Sequence, residues 1–118
     1  NRQGRALKDA KILLLGVTYK ADIADQRESP ARPVAQRLLR HGARLSYHDP
    51  HVGSWRVGQE EIPHAGDDLP AALAAADLTI VLAGHRDYDP ATLTGHARLL
   101  LDATGRTRSV PENPADVL

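Results

Sequence analysis

The chain has 118 residues, 42% of them apolar, with 15 basic and 15 acidic side chains that give a formal net charge of zero. That length suits one compact domain able to bury roughly two-thirds of the surface of its unfolded chain, and the composition excludes wholesale disorder. Zero net charge removes a global attraction to nucleic acid or an anionic membrane, and the lack of Cys excludes a disulfide framework, a thiolate metal site and a thiol nucleophile within these residues.

Residues 10–15 (AKILLL) form a short apolar run closed by Gly16. Too short for a typical helix, the run reads as a strand buried on both faces. Pro30 suits the first turn of a following helix, with Ser29 as its N-cap. Val34, Leu38 and Leu39 recur there at helical spacing with Arg32, Arg37 and Arg40 between them, and Gly42 is placed to end the helix. Residues 43–48 alternate and stop at Asp49-Pro50, which predicts a second strand and a turn. Residues 51–67 hold Gly53, Gly58, Pro63 and Gly66 and read as a loop with one short strand near Glu61-Ile62. Asp67 or Asp68 can cap an Ala-rich helix over 69–76. Residues 78–82 (LTIVL) are the clearest buried strand. Asp89-Pro90 opens a short helix to about Gly95, and 99–101 form a further strand ending at Asp102.

Strands and helices thus alternate, the pattern of a Rossmann-like three-layer α/β sandwich with a mostly parallel sheet. Residues 1–118 read as a single domain, with 109–118 as a loose tail. No apolar run approaches the ~20 residues that span a bilayer, and the polar start of the chain shows no signal peptide. These features predict a cytoplasmic protein with no membrane or nucleic-acid partner. The first residue is not Met, as expected of a fragment of a longer chain.

Ligands of such sheets bind beyond the carboxyl ends of the strands, so the segment after the first strand is the place to look. It is not a dinucleotide fingerprint: glycines two and five residues after Gly16 are required, and Thr18 and Ala21 stand there. It is not a Walker A loop either. It offers Tyr19, Lys20, Asp22, Asp25, Arg27 and Glu28 instead. A solvated charged loop has the same composition. Placement separates the two readings: Lys20 and Arg27 lie between a strand end and a helix N-terminus, where a phosphate or pyrophosphate satisfies both.

Residues 16–20 (GVTYK) and 25–30 (DQRESP) together resemble the signature of the UDP-glucose/GDP-mannose dehydrogenase family, C-terminal domain. Gly42-Ala43 followed by Tyr47-His48-Asp49-Pro50, then Ala76-Asp77 followed by a strand and His85, and finally Asp102 at the last strand, are similar to further pieces of that family's pattern. The likeness spans residues 4 to about 108 and rests on four pieces in order. It implies an NAD-dependent nucleotide-sugar 6-dehydrogenase of polysaccharide biosynthesis that oxidises the C6 alcohol of a UDP-sugar or GDP-sugar to a carboxylate. In such enzymes the N-terminal domain holds NAD and a catalytic Cys, and the C-terminal domain closes over the nucleotide. The resemblance places Tyr19 and Lys20 on the substrate nucleotide and turns Arg27 toward NAD. From the residues alone, Arg27 could equally pair with Asp25 or Glu28. Many members carry an Arg two residues after the last-strand Asp. Here that position is Thr104, with Arg106 and Arg108 beyond it, and Arg106 is assigned as the substitute substrate contact. The implied partners are the enzyme's own N-terminal domain and, in the full protein, a second copy as a homodimer. No catalytic residue is expected in these 118 residues, and the fragment alone is expected to be inactive.

Two further features have competing readings. His48 and His51 flank Asp49-Pro50 at metal-pair spacing, but a Pro-containing turn need not converge them, and a structural zinc site wants four ligands; no metal is expected. Asp49 could hold a ribose in a dinucleotide fold or accept a phosphoryl group in a receiver domain. Both lack their accompanying residues after the first strand, which leaves a turn-forming Asp-Pro. The rival to the dehydrogenase reading is a non-enzymatic nucleotide-binding or dimerisation module of the same fold.

Overall fold

The computed structural model describes residues 7–17, 31–83 and 88–103. In chain order these form β1 (Lys11–Leu15), α1 (Ala31–Arg40), β2 (Arg44–His48), β3 (Trp55–Val57), β4 (Glu60–Ile62), α2 (Leu69–Ala75), β5 (Leu78–Val81), α3 (Pro90–His96) and β6 (Leu100–Asp102). Four strands make one parallel sheet in the order β2-β1-β5-β6.

The apolar run of β1 explains its central place. Ile12 and Leu14 face one layer, Leu13 and Leu15 the other, and all four are buried to 1% exposure or less. Ile12 and Leu14 pack with α1 and the β3–β4 hairpin, together with Leu45, Tyr47, Trp55 and Ile80. Leu13 and Leu15 pack with Leu73 of α2 and Leu93 of α3. The result is the expected three-layer α/β sandwich. β2 alternates instead, because Leu45 and Tyr47 are buried while Arg44, Ser46 and His48 point to a face no helix covers fully. A groove of about 340 Å³ runs there, lined by Arg44, Ser46 and the small side chains Ala72, Ala75 and Ala76.

Helix ends follow their local chemistry. α1 buries Ala31, Ala35 and Leu38, so its contact stripe is built on alanines that let the helix sit close to the sheet, with Val34 and Leu39 at its flanks. Gly42, at φ +85°, ends it: the Gly42 N–H donates to Leu39 O and the Ala43 N–H to Leu38 O, the paired closure of a Schellman motif. Of the two acidic candidates ahead of α2, Asp68 is the cap, its Oδ1 accepting from the Ala71 N–H at 3.1 Å. The proposed N-cap Ser29 and the expected tail 109–118 lie outside the described residues.

The segment expected as a loop with one strand is a β-hairpin, with Trp55 opposite Ile62, Arg56 opposite Glu61 and Val57 opposite Glu60. Its two-residue turn is Gly58-Gln59, a Gly-first pair that suits such a connection. Trp55 and Ile62 bury against Tyr47, whose ring meets Trp55 edge-on at 5.6 Å, while Arg56 and Glu61 pair on the outside at 3.5 Å. Beyond β4 the chain bonds the outer edge of β2, the Tyr47 N–H donating to Pro63 O and the Ala65 N–H to Tyr47 O. That contact shields part of an edge otherwise open to strand addition.

Two consequences are measurable. The buried Thr79 hydroxyl has no hydrogen-bond partner among the described residues, so Thr79→Val should raise stability by about 1 kcal/mol in urea unfolding. Tyr47 donates its hydroxyl to Val52 O, and burial, with Asp49 and Glu61 adding to it, lifts the hydroxyl above its ordinary value of 10.0. The folded state therefore holds that proton more tightly than the unfolded state. The stabilisation is complete below pH 10 and is lost as pH rises beyond it. Tyr47→Phe should start about 1 kcal/mol less stable and show a shallower fall in alkali, read from urea midpoints across that range.

Candidate functional site

α1 connects β1 outward to β2, whereas the chain then crosses back past β1 to reach β5. The sheet order reverses between β1 and β5, and beyond the carboxyl ends at such a switch point α/β sheets bind their ligands. Gly16, Val17, Leu82 and Ala83 lie there. Gly16 sits at φ +77°, and a Cβ on it would fall on the Ala83 carbonyl oxygen and 2.8 Å from the Ala83 nitrogen. Its N–H donates to His48 O at 2.9 Å, while the Leu82 N–H donates to Leu15 O at 2.8 Å. Gly16 is thus needed to bring the two strand ends together.

The end of β2 ties the adjoining segments down. Asp49 is 2% exposed. Its Oδ1 accepts from the His51 N–H at 2.8 Å, the turn expected of Asp-Pro, and its Oδ2 accepts from the Val17 N–H at 2.8 Å. The neighbouring His48 meets the buried Tyr88. The Tyr88 hydroxyl donates to His48 O at 2.7 Å and lies 2.9 Å from His48 Nδ1. The hydroxyl has one proton and the carbonyl can only accept, so His48 Nδ1 is the donor to Tyr88. His64, whose ring centroid is 5.5 Å from that of His48, accepts on Nδ1 from the Gly66 N–H. His48 therefore carries a proton on Nδ1, and His64 does not.

The residues singled out for binding divide sharply. Tyr19, Lys20, Arg27 and Arg106 lie outside the described residues, as do His85 and Arg108. Those described, Gly16, His48, Asp49 and Asp102, all stand at carboxyl ends of parallel strands. Among the described residues no group of three His, Cys, Asp or Glu side chains could hold a metal ion, and the His48 ring serves Tyr88. Tyr88 was missed by sequence reasoning. Its only signal was an aromatic ahead of Asp89-Pro90, which says nothing of a partner forty residues away.

Residues 13–108 match the family model described as the UDP-glucose/GDP-mannose dehydrogenase family, UDP binding domain. The chain belongs to this family. It is 34% identical over 104 residues to a UDP-glucose 6-dehydrogenase of Rhizobium meliloti, covering 84% of this chain and 24% of the relative. It is also 34% identical over 79 residues to a UDP-N-acetyl-D-mannosamine dehydrogenase of Methanococcus maripaludis, covering 67% of this chain and 17% of that one. The solved structure of a UDP-glucose dehydrogenase from Pyrobaculum islandicum shares the fold, with a TM-score of 0.64 at 20% identity over 92% of this chain and 27% of that chain. The chain thus spans about a sixth to a quarter of the length of these relatives. The relatives are dehydrogenases, and the family's UDP-binding domain is the part represented here.

Gly16→Ala should cost about 3 kcal/mol or more, because it adds left-handed strain to a collision with backbone that cannot swing aside. Thermal unfolding beside Gly53→Ala, where a Cβ meets nothing within 4 Å, checks it.

Proposed function

We propose that these residues are the C-terminal, nucleotide-sugar-binding domain of an NAD-dependent nucleotide-sugar 6-dehydrogenase, which oxidises the C6 alcohol of a UDP-sugar or GDP-sugar to a carboxylate. The carrying observation is that residues 13–108 match the family's UDP-binding domain, with Gly16 and Val17 at the switch point of its sheet. Tyr19 and Lys20 follow within three residues. Lys20 supplies a compact positive charge for a phosphate, and Tyr19 a ring and hydroxyl for the nucleoside. Arg27 turns toward NAD across the cleft, and Arg106 is the contact from the end of the last strand.

NAD itself does not fit the described residues as a primary ligand. A dinucleotide cradle needs backbone open to the pyrophosphate, whereas the α-carbon of Gly16 is packed against Ala83. With no Cys in the chain, the thiol that links the two oxidation steps also belongs elsewhere. NAD binding and the covalent chemistry are assigned to an N-terminal domain. This half supplies substrate grip and, by closing on its partner, holds the reacting groups together and away from water. A cytoplasmic location and a homodimer of the full protein complete the reading.

Calorimetric titration of UDP into the chain should show binding, weakened about ten-fold to a hundred-fold by Lys20→Ala, as expected for loss of a charged hydrogen bond. No NADH should form from UDP-glucose, UDP-N-acetylmannosamine or GDP-mannose and NAD. Turnover by the chain alone would refute the division of labour. Absence of UDP binding would favour a dimerisation module with a degenerate site, or a site that requires both domains.

A further inference from the structure

We propose that the groove beside β2 is a binding site for a small phosphate ester with an apolar body. Lys11 and Arg44 are register partners in adjacent parallel strands. Their α-carbons therefore stand about 4.8 Å apart, and their side chains rise from the same face of the sheet. Both side chains line the groove. Two cations set side by side repel each other, a juxtaposition that costs stability unless an anion lies between them. Their neighbours neutralise them only slightly. Arg44 Nε lies 3.8 Å from Asp9 Oδ1, with both side chains largely exposed, and such a contact contributes little in water. Asp77 accepts the Lys11 N–H on Oδ2 and gives Oδ1 to Arg98 at 3.1 Å. Among the described residues no carboxylate forms an ion pair with the Lys11 ammonium.

The rest of the lining suits an apolar body. Ala72 and Ala75 of α2 line the groove with Ala76, Ala65 and Leu45. Methyl groups where α2 faces β2 leave a space of about 340 Å³ open, which lies within the size range of small-ligand pockets. Ser46, two residues beyond Arg44 on the same face, adds a hydroxyl that has no hydrogen-bond partner among the described residues and can donate to an anion. The pair of cations selects the head group. A phosphate monoester carries a charge of about −1.5 to −2 at neutral pH and three acceptor oxygens, whereas a carboxylate would match only one of the two cations. Lys11 and Arg44 begin their strands, while Gly16 and Val17 stand beyond the carboxyl end of β1. The groove is thus separate from the switch point, and the inference does not depend on the nucleotide reading.

Phenyl phosphate, a dianion on an aromatic ring, is titrated into the isotope-labelled chain at low ionic strength, and amide shifts are read residue by residue. Saturable shifts are expected at Lys11, at 44–46 and at 72–76. Lys11→Gln and Arg44→Gln alter exposed side chains, and thermal melts verify that both variants fold. Each should bind about ten-fold more weakly, as expected for loss of a charged hydrogen bond. Ala75→Leu, which intrudes on the groove and keeps both cations, should weaken binding likewise. Inorganic phosphate, which lacks the body, and benzoate, which carries a single charge, should each bind about ten-fold more weakly than phenyl phosphate. Absence of saturable shifts at these amides, or unchanged affinity in either folded Gln variant, overturns the proposal. Equal affinity for inorganic phosphate, which would mark an adventitious ion only, or for benzoate overturns it too.

Discussion

β1 is enclosed on both faces and both edges. Four consecutive side chains, Ile12 to Leu15, divide between two hydrophobic layers, and β2 and β5 pair with the same four residues from either side. Neither layer could form without it, because α1 and the hairpin bury against its even residues and α2 and α3 against its odd ones. Aspartates hold the chain at its start and just past its end, with Asp77 on the Lys11 N–H and Asp49 on the Val17 N–H. A strand held in this way cannot slip in register without exchanging its two buried faces.

The same enclosure makes its carboxyl end a suitable place for a ligand. A binding segment keeps its geometry when it departs from rigid structure, and here the departure at Gly16-Val17 is braced from three sides. β5 packs against Gly16, the His48 carbonyl accepts its N–H, and Asp49 takes the next N–H. The end of β2 also reaches across to Tyr88, so His48 and Asp49 together brace two separate returns of the chain.

Much of this was legible in the order of residues. The mainly apolar runs at 10–15 and 78–82 marked buried strands, and the alternation of 43–48 marked another. Asp68, Gly42 and Asp89-Pro90 stand at helix ends for local reasons that need no tertiary context. The hairpin escaped because its strands have three residues each, too few for alternation to stand out, and because four Gly and Pro residues around it suggested irregular chain. On α1, Val34 and Leu39 outranked Ala31 and Ala35 by hydrophobicity. The helix nevertheless buries the alanines, since close approach to a sheet favours small side chains where the backbones come nearest.

By itself the sequence determined the alternation of strands and helices, the absence of a thiol and of a dinucleotide glycine pattern, and a family likeness confirmed over residues 13–108. These are properties of short windows, where periodicity, turn chemistry and motif spacing operate. Tertiary structure alone decided the sheet order, and with it the switch point, because strand neighbours are chosen by long-range pairing. It alone turned Asp49 from a turn former into a clamp on Val17, and a lone aromatic, Tyr88, into the partner of His48. Hydrogen bonds between residues 32 and 40 positions apart leave no local trace, since either residue would look the same in a chain where the other was missing.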